Sequence, residues 1–123
     1  MKYKIFTYGT LMRNQVNHHL LVNNRCKYLY DAVLNGYVLY DTPGNYPAAV
    51  KMEGHKVYGE VYEVHVPAKQ EIDILEEVGV LYDCVEVTVE SKSCKENVLF
   101  YEYIQSTQGM KMRELNGKWT PLI

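Results

Sequence analysis

This chain of 123 residues lacks the covalent and metal devices that hold many small proteins together. Its three cysteines, Cys26, Cys84 and Cys94, are odd in number and contain no Cys-x-x-Cys spacing, which argues against a disulfide framework and against a zinc site. His18, His19, His55 and His65 offer no i, i+4 pair and no glutamate arranged as in a zincin, so no metal is expected. Long apolar runs are missing, and with them any expectation of a membrane span. Met1-Lys2-Tyr3-Lys4 opens the chain without an apolar stretch of signal-peptide length, so a cytoplasmic location is expected. Excess charge is missing as well. A net charge of −2 provides no electrostatic footprint for a polyanion, which makes nucleic acid an unexpected partner. No linker, internal repeat or low-complexity stretch divides the chain, which reads as one domain over residues 1–123.

What is present suffices for a core. A domain of this length buries roughly two thirds of its unfolded surface, and 47% hydrophobic with 23% charged residues excludes a disordered chain. The 12 tyrosines bring large apolar faces whose hydroxyls need partners when buried. Lys2 to Phe6 reads as a short strand with lysines on its wetter face. It stops at Phe6-Thr7-Tyr8-Gly9-Thr10-Leu11-Met12, a small-residue turn that gathers unpaired N–H donors and suits a carboxylate or a developing oxyanion. Asn14 to Asn24, with Val16 and Leu20 at i, i+4, reads as a short helix.

Arg25 to Leu34 alternates as a strand, and Asn35-Gly36 predicts a hairpin into Tyr37–Tyr40. Asp41 to Asn45 is a surface loop of turn formers. Tyr46 to Met52 and Lys56 to Val64 flank Glu53-Gly54 as a second hairpin, with Gly59 marking a bulge or a close backbone approach. Pro67 opens the strongest helix, expected to run to Val78 with Gly79 as its cap. Tyr82 to Val89 and Asn97 to Ile104 form a third hairpin around the polar stretch 91–96. The tail holds Leu115, an Asn116-Gly117 turn and Trp119, expected to pack back on the body. Hairpins with two inserted helices imply an α+β fold, a small twisted antiparallel β-barrel flanked by short helices.

One carboxylate stands out. With Ile72 at 0° on a helical wheel, Ala68 falls at about 320° and Leu75 at about 300°, which defines a buried stripe. Glu76 falls at about 40°, beside the stripe, whereas Glu77 and Gln70 lie opposite, at about 140° and 160°. Partial desolvation raises a carboxylate's pKa, so Glu76 is a candidate general base near neutral pH. It could equally reach water or pair with Lys69. Asp73 is expected to pair with Lys69 one turn before it. Tyr82, Tyr101 and Tyr103 could line a pocket with Glu76 or simply pack in the core.

Tyr8-Gly9-Thr10-Leu11, Asn17-His18, Tyr46-Pro47-Ala48, Val57 to Tyr62, and Ile72-Asp73-Ile74-Leu75-Glu76 followed by Tyr82 occur in an order that resembles the gamma-glutamyl cyclotransferase-like family, most of all its gamma-glutamylamine branch. Asn116-Gly117-Lys118-Trp119 resembles the family's closing Gly-x-Trp segment. The resemblance implies a β-barrel enzyme without a cofactor, expected as a monomer, acting on a small-molecule γ-glutamyl substrate. It implies that Tyr8, Gly9, Thr10 and Leu11 hold the glutamyl part largely through backbone groups, with Tyr82 beside it, and that Glu76 is the acid/base. Two positions depart from the family pattern: Glu77 stands where Gly is usual, and Cys84 where Arg is usual.

The implied reaction turns a γ-glutamyl amine or γ-glutamyl amino acid into 5-oxoproline and a free amine. A non-catalytic relative that binds a γ-glutamyl or amino-acid ligand is the alternative. An interaction module whose tyrosines stack on bases or peptides is disfavoured by the acidic balance.

Overall fold

The computed structural model describes residues 1–92, 94–113 and 119. Its elements are β1 (Lys2–Thr7), α1 (His18–Asn23), β2 (Lys27–Asp41), β3 (Pro47–His65), α2 (Val66–Leu75), β4 (Tyr82–Glu90), β5 (Lys95–Tyr103) and β6 (Lys111–Arg113). The strands lie in the order β3-β1-β5-β4-β2, and β2 pairs again with β3, closing a five-stranded barrel with β6 on the outer edge of β2. Closure leaves few strand edges to protect. The expected small barrel with short helices is what the chain forms. Pairing is antiparallel except at one seam, where β1 and β5 run parallel, Ile5 opposite Leu99 and Phe6 opposite Phe100. Among the described residues no helix is long and apolar enough to cross a membrane.

Asn35-Gly36 is not the expected hairpin. β2 continues through it and pairs β3 on both sides, Asn35 opposite Lys56 and Tyr37 opposite Lys51. Gly36 does adopt the left-handed conformation that the Asn-Gly pair signals, at φ +85°, but it kinks the strand instead of reversing it. Glu53-Gly54 lies across from that kink, so β3 is likewise one strand; the reversal between them is the loop after Asp41. The third hairpin forms as expected, with Tyr82 opposite Tyr103 and Glu90 opposite Lys95.

Side chains alternate between two cores, as strand geometry requires. Phe6, Val57, Val61, Phe100 and Trp119 fill the barrel, whereas Ile5, Tyr62, Val64, Tyr101 and Tyr103 face outward beneath the helices and meet Leu21, Ala68 and Ile72. Trp119 thus packs on the body as expected; Leu115, the Asn116-Gly117 turn and Ser93 lie outside the described residues. Gly59 is a close approach: a Cβ there would sit 2.2 Å from the Thr7 carbonyl oxygen and 2.7 Å from the Phe6 ring. No larger residue fits between β1 and β2 at that level.

Candidate active site

The chain leaves β1 at Thr7 and runs through a series of turns to His18. Asn14 has φ 67°, a left-handed conformation, so the helix expected from Asn14 starts only at His18. The amide of Met12 closes a turn on the Gly9 carbonyl at 3.1 Å. Among the described residues the amides of Gly9, Thr10 and Leu11 have no acceptor, the donor-rich concavity that the sequence suggests. Asn17 fixes the segment from beneath: its amide and its side-chain Nδ2 donate to the Thr10 carbonyl and Oγ1 at 2.8 and 2.9 Å. Glu60 of β3 holds it from the side, accepting from the Arg13 backbone N–H at 3.0 Å, from Arg13 Nε at 3.1 Å and from the Tyr62 hydroxyl at 2.8 Å. A Cβ on Gly9 would meet Pro47 at 2.6 Å, so packing against Pro47 already calls for glycine there.

Opposite the turn, α2 ends at Leu75, earlier than the expected Val78. Its ending is a Schellman motif: Val78 N–H bonds the Asp73 carbonyl and Glu77 N–H bonds the Ile74 carbonyl, both at 3.1 Å. Glu77 occupies the left-handed position at φ 50°, where glycine would be unstrained. The cap is therefore Glu77, not Gly79. This ending also corrects the wheel. Ala68 and Ile72 are fully buried, but Leu75 is 36% exposed, because the helix stops over an opening and leaves part of it uncovered.

That opening is a cavity of about 240 Å³. Tyr8, Gly9, Thr10, Leu11, Glu76 and Tyr82, separated by up to 74 positions in the chain, all line it. So do Asn17, Tyr46, Leu81 and Tyr101. Tyr103 does not; it packs edge-on against Tyr82 at 5.3 Å. The Tyr46 loop is held by Thr42, whose amide and hydroxyl both donate to the Tyr46 carbonyl.

Glu76 is the last residue of the helix ending, its amide bonded to the Ile72 carbonyl at 2.9 Å. Tyr8, Tyr82 and Tyr101 surround its carboxylate, yet each hydroxyl is committed elsewhere: Tyr8 to the Tyr101 carbonyl at 2.7 Å, Tyr82 to the Pro47 carbonyl at 2.6 Å, Tyr101 to Asp73 Oδ1 at 2.6 Å. No donor among the described residues answers Glu76. Burial alone pushes its pKa up to about 7. The three phenols are in turn held well above their ordinary range, chiefly by burial.

Asp73 pairs with Lys69 as expected, both carboxylate oxygens 2.9 Å from Nζ. The Lys69 ammonium also lies over the Tyr3 and Tyr101 rings, and Cys84 packs at the same spot, its thiol pushed up mainly by burial. The cation beside position 84 thus comes from α2. Among the described residues no cluster of His, Cys, Asp and Glu is arranged to hold a metal ion.

The anchors Asn17 and Glu60 and the mouth residues Val16, Leu75 and Leu81 are absent from the sequence-based site. Both Asn17 and Glu60 lie in motifs that carry the family resemblance, and Glu60 is also an acidic residue between Gly59 and Val61 in an otherwise apolar stretch.

A family model described as gamma-glutamyl cyclotransferase, AIG2-like, matches residues 5–121. The chain is 33% identical over 116 residues to the gamma-glutamylcyclotransferase family protein YtfP of Escherichia coli K12, covering 94% of this chain and 95% of that protein. It is similar to the crystal structure of an uncharacterized protein from Pyrococcus horikoshii, with a TM-score of 0.74, 32% identity and coverage of 94% and 88%. It also resembles an AIG2-like protein from Mus musculus, with a TM-score of 0.76 over 98% and 97% of the two chains; at 19% identity that likeness is one of fold.

Proposed function

The chain belongs to the AIG2-like gamma-glutamyl cyclotransferase family, and from that premise we infer that its cavity closes a γ-glutamyl amide into 5-oxoproline, with Glu76 as general base and acid. The observation that carries this reading is a carboxylate that no donor among the described residues answers, held near pKa 7, facing a turn whose amides have no acceptor among the same residues, across one small cavity.

The substrate's α-ammonium, with a pKa near 8, is mostly protonated at neutral pH and cannot attack until it loses a proton. Glu76, about half ionised at pH 7, takes that proton. The freed amine adds to its own γ-carbonyl, forming the lactam C–N bond. The amides of Gly9, Thr10 and Leu11 are the donors available to the glutamyl carboxylate and to the developing oxyanion. Glu76 then returns its proton to the departing nitrogen as the original amide C–N bond breaks, and the second proton that the ring nitrogen sheds on becoming a lactam passes through Glu76 to the released amine, so both protons lost by the α-ammonium leave on the amine. Because the nucleophile is tethered, orientation supplies on the order of 7–11 kcal/mol, and no serine or cysteine nucleophile is needed.

The test is to incubate the protein with a γ-glutamyl amide and follow the products by chromatography. Equimolar 5-oxoproline and amine are expected. Binding of the amide without either product would favour a non-catalytic relative.

A further inference from the structure

The amide nitrogen of a γ-glutamyl substrate carries a substituent that must lie somewhere. Of the cavity's lining, Tyr8, Leu11, Tyr82 and Tyr101 are buried, whereas Val16, Gly44, Asn45, Leu75 and Glu77 are exposed and form its mouth. With the glutamyl end at the Gly9–Leu11 amides and the reacting carbonyl near Glu76, the substituent on nitrogen is directed outward. At about 240 Å³ the cavity lies below the size of sites that enclose drug-sized ligands, so a longer substituent rests on the mouth.

Beside Asn45 and Glu77, part of the mouth is apolar where a soluble protein would ordinarily place charge. Val16 is 73% exposed and Leu75 36%, half-buried Leu81 lines the same cavity, and Val78 and Val80, nearby in the chain, are 41% and 56% exposed. Among the described residues nothing covers the exposed parts of these side chains. A ligand group that covered them would gain from leaving water. The charged side chains among the described lining residues are Glu76 and Glu77; no lysine or arginine is present to answer a carboxylate on the amine. A cationic group would have Glu77 alone, an exposed partner in high dielectric, where an ion pair contributes little.

We propose that the amine released by this site carries an apolar alkyl chain with no further charged group, and that this chain lies across Val16, Leu75 and Leu81. The proposal rests on the cyclotransferase reading for its chemistry and narrows it to one class of leaving group. The reaction is otherwise unchanged: the amine departs with the protons returned by Glu76, and no further reactant enters.

Three matched substrates test it: the γ-glutamyl amides of n-butylamine, of 1,4-diaminobutane and of 4-aminobutyrate. They share the glutamyl group and a chain of similar length, and differ in ending on a methyl, an ammonium or a carboxylate. The butylamide is expected to have kcat/KM at least about tenfold above both charged analogues, the scale on which apolar pockets discriminate. Leu75→Gln should shrink that ratio, with a thermal melt confirming the fold. Equal or faster turnover of either charged amide would overturn the proposal while its 5-oxoproline leaves the cyclotransferase reading intact. So would a ratio unmoved by Leu75→Gln. Calorimetric binding of the same three amides to Glu76→Gln separates the two claims. If the wild type forms no 5-oxoproline from any of them, the reading of the reaction falls; tighter binding of the butylamide would still support the apolar mouth, and equal binding would overturn it.

Discussion

A carboxylate that burial desolvates and no donor among the described residues answers keeps its proton to about pH 7, and the folded state bears the consequence. Below the ordinary value of 4.5 the group is protonated in both folded and unfolded chains and has no effect on stability. Between 4.5 and 7 the unfolded chain gives up the proton first, so stability falls as pH rises, and above 7 the loss is complete, on the order of 1–3 kcal/mol. Glu76→Gln removes the charge and the dependence together. Its melting temperature should exceed that of the wild type above pH 7 and converge with it near pH 4.5; a difference independent of pH would contradict the assignment. Glu77 carries a second local cost, a left-handed backbone at φ 50° in a residue with a Cβ. Glu77→Gly should raise stability by about 1 kcal/mol in denaturant titrations, because glycine takes that conformation without strain.

At the scale of the element, α2 shows what periodicity can and cannot say. The wheel identifies Ala68 and Ile72 correctly and sets Glu76 beside them, since one turn of helix carries the same face onward. It errs on Leu75 because a wheel has no end, whereas the Schellman motif stops this helix over a cavity. Ile72→Ala should therefore cost roughly 2–5 kcal/mol and Leu75→Ala less than about 1 kcal/mol, measured by chemical denaturation. Equal costs would mean that Leu75 is in the core after all. Asn35-Gly36 errs in a related way. The pair specifies positive φ, which Gly36 adopts, but positive φ serves a bulge as well as a reversal, and only the pairing partner decides between them.

Across the whole molecule, alternation tells which face of each strand is buried but not which strand lies beside it. The barrel's class was legible from strand alternation and from the family resemblance, although two of the three expected hairpins are continuous strands. The parallel seam of β1 with β5, joining residues 94 positions apart, was not. That seam matters for the site. It brings Tyr101 under Tyr8 and, with α2 laid over them, sets Glu76 across from the Gly9–Leu11 amides. The residues of the cavity floor were legible through local signals, a turn and a misplaced carboxylate, and through the family resemblance. Its anchors, Asn17 and Glu60, act only through contacts that the fold creates. The account depends most on Glu76, and one comparison tests it: the rate of 5-oxoproline formation from a γ-glutamyl amide by wild type and by Glu76→Gln at pH 7.5, with melting temperatures in parallel. Turnover should fall by at least about 10²–10⁴-fold while the melting temperature holds or rises; formation of 5-oxoproline by the variant at the wild-type rate would show that Glu76 is not the base.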